Sequence, residues 1–179
     1  MQALLQPYNP NWPLQFEQLQ AVLGEALQQF EPAIIHVGST AVPGLAAKPI
    51  IDVDVVYTNA GDFARIKNAL ERLGYWHAGD QGIAGREVFK RHEKAHPVLD
   101  FIAHHLYVNT RQSAEWQRHV AFRDHLRKHA PARLQYEQLK KDLAALSGED
   151  RKVYARLKET EARTFVEMIL TEARQHTLQ

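Results

Sequence analysis

A chain of 179 residues with no cysteine, 45% hydrophobic residues and 22 Lys and Arg against 21 Asp and Glu leaves few special classes open. Disulfides, thiolate zinc sites and cysteine nucleophiles are excluded, and the length suits one unit that buries its core without covalent staples. No apolar run approaches the roughly 20 residues of a membrane span, and the N-terminus lacks the basic and apolar regions of a signal peptide, so a cytoplasmic protein is expected. The net charge of +1 divides when the chain is cut after Thr110. Residues 1–110 hold 8 Lys and Arg against 11 Asp and Glu, and residues 111–179 hold 14 against 10. The expected organisation is an α/β core over 1–110 and a helical extension over 111–179, packed as one compact unit. Neither part carries a dense basic block, so no nucleic-acid partner is expected. Oligomeric state is not legible in the sequence.

In chain order, Phe16, Leu19, Leu23, Leu27 and Phe30 recur at helical steps and predict a helix over 13–30, with Asn11 as cap and Pro13 in its first turn. The β-branched run 33–37 predicts a buried strand ending at Gly38-Ser39. Residues 49–56 predict a second strand, punctuated by Thr58-Asn59-Ala60-Gly61. Asp62 is placed to cap a helix with Phe63, Ile66, Leu70 and Leu73, ended by Gly74. Short extended segments follow at 75–77, 87–91 and 98–108. Beyond Arg111 the pattern turns helical, in three helices: from Ser113, from Pro131 to Leu146, and from about Glu149 to Ala173. Trp12, Trp76 and Trp116 are read as core side chains.

Two carboxylates carry the chemical signal. Asp52 and Asp54 lie two apart in a strand, so they share one face while Ile51, Val53 and Val55 share the other. Paired carboxylates repel, and such a pair calls for a compensating cation. Mg²⁺ takes hard oxygen ligands and completes its shell with substrate phosphates. Thirteen positions earlier, the Gly38-Ser39 turn lets backbone N–H groups and a hydroxyl approach a phosphate. Without the turn, two acids on a strand also read as charges that blunt a sheet edge.

Hydrophobic-Gly-Ser, a spacer, then hydrophobic-Asp-hydrophobic-Asp resembles the pattern of the nucleotidyltransferase superfamily typified by DNA polymerase β. The whole stretch from Gly38-Ser39-Thr40-Ala41-Val42-Pro43-Gly44 to Lys48-Pro49-Ile50-Ile51-Asp52 looks like the signature of the GrpB family, the UPF0157 proteins. Tyr8 and Trp12, Gly82-Ile83-Ala84-Gly85-Arg86, His104-His105-Leu106-Tyr107-Val108, and tail residues including Trp116, His119, Arg123, Asp150, Tyr154 and Lys158 extend the resemblance nearly end to end. Ala84 and Tyr107 depart from it, standing where the family usually has Pro and a second strand His. The resemblance implies an α+β fold: a small mixed β-sheet of nucleotidyltransferase type, flanking helices and a C-terminal three-helix extension. It implies that Gly38, Ser39 and Thr40 cradle phosphate and that Asp52 and Asp54 hold Mg²⁺ or Mn²⁺. The third ligand stays open between Asp100, in a Leu-Asp-Phe-Ile run, and His105, or no protein group at all.

Basic side chains should face the phosphates, and Lys48, Arg86 and Lys90 are the candidates; a bidentate grip suits Arg86, a point charge Lys48. Arg123 beside Asp124 reads as an ion pair fixing the first tail helix. The expected function is Mg-dependent transfer of a nucleotidyl group from a nucleoside triphosphate to a small-molecule acceptor. The alternative is a noncatalytic nucleotide- or ligand-binding module on the same fold, linked to coenzyme A metabolism by the family's fusion to dephospho-coenzyme A kinase.

Overall fold

The computed structural model describes residues 4–92, 96–148 and 150–177, with backbone alone at 151 and 173–177. Five strands, β1 (Ala33–Val37), β2 (Ile51–Tyr57), β3 (Tyr75–His77), β4 (Arg86–Arg91) and β5 (His104–Thr110), form one sheet in the order β1-β2-β5-β4-β3. Only the central pair β2 and β5 runs parallel among these neighbours. Five helices accompany them: α1 (Trp12–Leu27), α2 (Phe63–Arg72), α3 (Ala114–Lys128), α4 (Ala130–Leu146) and α5 (Arg151–Thr177). The α+β class, small mixed sheet, flanking helices and three-helix extension expected from the sequence are all present.

One face of the sheet is apolar and covered. Ile51, Val53 and Val55 of β2, with Leu106 and Val108 of β5, pack on Leu19, Leu23 and Leu27 of α1 and Ile66 and Leu70 of α2. Burying one such side chain contributes about 1.5–3 kcal/mol. Because side chains alternate, a one-residue slip would turn this whole set outward, so the layer fixes the strand register. The same register sends Asp52, Asp54, His105, Tyr107 and Asn109 to the opposite face.

Several boundaries differ from the sequence reading. β2 begins at Ile51, after Pro49, which has no N–H to donate to a ladder. β5 begins at His104, because residues 96–102 wind into a turn in which Asp100 N donates to the His96 carbonyl and Ile102 N to that of Val98, both at 3.0 Å. Asn11 makes no cap bond to α1; its own N–H donates to the Asn9 side chain at 2.9 Å. Asp62 makes no cap bond to α2 and instead pairs with Arg65 at 2.9 Å. Ser113 caps α3 as expected, accepting from Glu115 N at 3.2 Å. Glu149, the expected start of the last helix, lies outside the described residues. Trp12 is in the core, whereas Trp76 is 39% exposed and stacks on His92.

The extension is anchored by the segment that follows β1. Val42 and Leu45 insert among Leu126, Ala132, Tyr136, Ala162 and Ile169, so residues 38–48 form a seam between sheet and helices. No helix of the described residues is long and apolar enough to cross a membrane.

Candidate functional site

The antiparallel pairing of β1 and β2 sets Val37 opposite Asp52, which brings the turn after Val37 against that carboxylate. Gly38 has φ 73° and ψ −171°, a conformation nearly restricted to glycine. A Cβ at this position would lie 2.2 Å from Asp52 Oδ2. The carboxylate therefore rests on bare backbone, where the chain reverses into the single helical turn Ser39–Ala41. Asp52 is half-buried, and its Oδ1 accepts a hydrogen bond from His105 Nδ1 at 3.0 Å. His105 itself is exposed.

Asp54 differs from the open metal ligand expected. It is fully buried, with Oδ1 accepting from Asn109 Nδ2 at 3.0 Å and Oδ2 from His119 Nδ1 at 2.8 Å. The reason is position: α3 lies over this part of β2 and lowers His119 onto it, while Asp52 sits at the seam. His119 Nε2 also reaches Glu115 at 3.4 Å. Burial pushes the His119 imidazolium down, but the hydrogen bonds to Asp54 and Glu115 outweigh it and raise its pKa to about 9. The hydrogen bond from His119, together with nearby arginines, holds Glu115 below the usual carboxylate range despite burial. The cation beside Asp54 is thus a side chain of α3.

The other candidates separate into those at the seam and those elsewhere. Asp100 is not brought to the pair: it binds Arg91 and accepts from His96 N at 2.6 Å, closing the turn that displaces the start of β5. Local side-chain bonds of this kind compete with the ladder. Thr40 is buried and faces inward, bonded to His36 Nε2 at 3.0 Å and donating to the Ile50 carbonyl at 3.4 Å, which braces the turn and leaves no hydroxyl for phosphate. Burial pushes the His36 pKa down to about 4, so it serves as a neutral partner. Arg86 lies 5.1 Å over the Tyr107 ring and 4.0 Å from Glu115, beside the Asp54 network. Lys90 lies over the Trp76 ring at the far edge of the sheet, away from the turn. Lys48 does belong to the seam, its ammonium 4.2 Å above the Tyr154 ring. Arg123 pairs with Asp124 at 2.8 Å as expected and also donates to the His36 carbonyl, while Arg127 donates to that of Ala41. The two arginines clamp both ends of the turn.

The sequence reading missed Lys140. It lies on α4, is 1% exposed, and donates to Ser39 Oγ at 3.3 Å and to the Ala46 carbonyl. Burial, with a smaller push from Lys158, lowers its pKa to about 7. The folded value lies below the ordinary 10.5, so the unfolded chain binds more protons between pH 7 and 10.5 and the wild type gains stability across that window. Lys140→Met removes a charge that is costly to bury. Its Tm should equal or exceed the wild-type Tm at pH 6, with the advantage shrinking by pH 9. Scanning calorimetry at both values checks this, and a loss that is larger at pH 6 would contradict it.

Asp52 presents a hard oxygen to the seam, and no thiolate competes, a donor chemistry that fits Mg²⁺ or Mn²⁺. Among the described residues no group of three or more His, Asp or Glu side chains is placed to hold an ion. Phosphate oxygens and water would have to complete the shell, as Mg²⁺ commonly accepts with one or two carboxylates.

Comparison with known proteins bears on the family and the fold. The model of the GrpB protein family matches residues 2–171. The Glutamate-rich protein GrpB of Alkalihalophilus pseudofirmus is 31% identical over 176 residues, 96% of this chain and 95% of that protein. The UPF0157 protein YqkA of Bacillus subtilis is 34% identical over 77% of this chain, which spans only 38% of YqkA. The crystal structure of the conserved protein GrpB from Enterococcus faecalis superposes with a TM-score of 0.79 at 30% identity, covering 98% of this chain and 99% of that one. A match that runs through the Gly-Ser turn, the sheet and the helical extension alike leaves one assignment: the chain belongs to the GrpB family.

Proposed function

We propose that the seam binds a nucleoside triphosphate with Mg²⁺ and transfers its nucleotidyl group to a small-molecule acceptor. The observation that carries this reading is the packing of Asp52 Oδ2 into the space that a Cβ at Gly38 would fill, which sets a carboxylate oxygen against a glycine turn. Asp52 would hold the ion, and Gly38 and Ser39 would offer backbone and hydroxyl groups to phosphate oxygens. Bound Mg²⁺ supplies charge neutralisation at the reacting phosphate.

The chain's own groups do the rest. The Gly38 turn, braced by Thr40 and clamped by Arg123 and Arg127, is held rigid before substrate arrives, so little reorganisation is needed on binding. His105, held by Asp52 at 3.0 Å through Nδ1, presents its exposed outer edge to an incoming acceptor. Asp54 sits behind Asp52, paired with His119, and ties α3 to the sheet.

Release of pyrophosphate tests the reading. With Mg²⁺, the four ribonucleoside triphosphates and a pool of hydroxyl- and amine-bearing metabolites, the wild type should release pyrophosphate and Asp52→Asn should fall at least a hundredfold, the scale of losing one charge-stabilising group. Binding of nucleotide with no release under any acceptor would favour the noncatalytic module, for which the sealing of Asp54 is the supporting observation.

A further inference from the structure

The helices do not seal the whole polar face of the sheet. At one end Asp54 and Asn109 are buried, with α3 laid over them. At the other end Asp52 of β2 is level with His105 of β5. One step beyond the pair of Phe89 and Leu106, the antiparallel register of β4 and β5 sets Lys90 beside His105. Lys90 is in turn level with Trp76 of β3. Side chains alternate along each strand, so Asp52, His105, Lys90 and Trp76 form one row on one face. The row meets solvent along its length: Asp52 is half-buried, His105 and Lys90 are exposed, and Trp76 is 39% exposed. With neighbouring strands about 4.8 Å apart, it runs about 14 Å from carboxylate to indole.

The far end of the row has its own chemistry. The Trp76 ring stacks on His92 at 5.8 Å, and the Lys90 ammonium stands 5.6 Å from its centroid. An indole in contact with water offers a flat apolar face to another ring. Lysine carries its charge on a flexible stem, so the ammonium can swing aside. A planar ring that takes its place on the indole keeps an aromatic contact, and the released ammonium meets an anion on the same molecule. From His105 to Trp76 is two strand spacings, about 10 Å, the span of a small molecule. Resting on the reading of Asp52 as the metal end of the site, we infer that the row from His105 to Trp76 is the acceptor subsite, and that the acceptor is a small molecule with a planar aromatic ring held on Trp76 and an anionic group held by Lys90. Its reacting group then lies at His105, beside Asp52. Lys90, which is away from the Gly38 turn, thereby acts on the acceptor and not on the triphosphate.

Proton–nitrogen correlation spectra of the full chain, titrated with 1-naphthyl phosphate in EDTA, test it. The indole N–H signal of Trp76, identified by its loss in Trp76→Phe, and the backbone signals of β4 should shift saturably. Cyclohexyl phosphate, which has the anion without the aromatic ring, should bind about tenfold more weakly, the scale of one aromatic stack. Trp76→Ala and Lys90→Met should each weaken naphthyl phosphate by about tenfold with Tm retained, and Lys90→Arg should restore most of the binding. Lys67→Met, on α2 across the sheet, should bind as the wild type does. No saturable shift in the wild type, equal affinity for the two phosphates, or equal binding in Trp76→Ala, Lys90→Met and Lys67→Met overturns the inference. Pyrophosphate release with the metabolite pool that is unchanged in Trp76→Ala and Lys90→Met would also overturn it while leaving the transferase reading intact. Binding that depends on Trp76 and Lys90 in a protein that never releases pyrophosphate would sustain the site for an aromatic anion and defeat the transferase reading.

Discussion

Gly38→Ala should lower the melting temperature and abolish Mg-nucleotide binding together. The backbone at 38, with φ 73° and ψ −171°, costs a non-glycine residue roughly 1–3 kcal/mol. For a chain of this size that is roughly 2–12 °C in Tm. The new methyl would also sit 2.2 Å from Asp52 Oδ2, so the carboxylate must leave the turn. Gly44→Ala separates the two effects: its φ is +79°, but nothing lies within 4 Å of its added Cβ. It should lose stability yet keep nucleotide affinity within about threefold, a difference of roughly 0.7 kcal/mol. Thermal melts and nucleotide titrations on both variants check this, and equal loss of affinity in the two would remove Asp52 from the explanation.

Asp54→Ala should produce the largest loss of stability. It leaves the His119 imidazolium and the Asn109 amide facing a buried void, and breaking a buried pair from one side costs about 3–5 kcal/mol. The expected fall in Tm is roughly 6–20 °C. His119→Ala should cost less on its own, and the double variant little more than Asp54→Ala, since both act through one network. The pH dependence has a definite sign. His119 has its folded pKa raised from 6.5 to about 9, so its contribution is fully present below pH 6.5 and is lost as pH rises through about 9. Stability of the wild type should therefore sag between those values, opposite to the gain from Lys140, and the sag should shrink in Asp54→Asn, where the Glu115 bond remains. Denaturant titrations from pH 6 to 9.5 on wild type, Asp54→Asn and Lys140→Met resolve the two contributions. A sag that persists unchanged in Asp54→Asn would contradict the pairing.

These two positions also mark how far the sequence could be read. The period-two pattern of β2 and the Gly-Ser turn were enough to place Asp52, Asp54 and the Gly38-Ser39 loop on one face. What covers that face was not legible. Asp54 is sealed by His119, 65 positions away, and the only local hint was the i,i+4 spacing of Glu115 and His119. Asp100 reads as a strand carboxylate because Leu99 and Ile102 flank it, yet Arg91 and His96 draw it into a turn. Lys140 is next to Lys141 on an amphipathic helix, where lysines normally face solvent; only the insertion of Val42 and Leu45 among the helices turns it inward. Local periodicity fixes which way a side chain points, and tertiary packing decides what it meets.

The central claim is that Asp52 and the Gly38-Ser39 turn form one Mg-dependent nucleotide site. Calorimetric titration of a nonhydrolysable nucleoside triphosphate into the wild type and Asp52→Asn, with and without Mg²⁺, tests it most directly. Mg²⁺ should strengthen binding at least tenfold in the wild type and leave Asp52→Asn unchanged. Equal binding by both proteins, or a wild type indifferent to Mg²⁺, would contradict the claim.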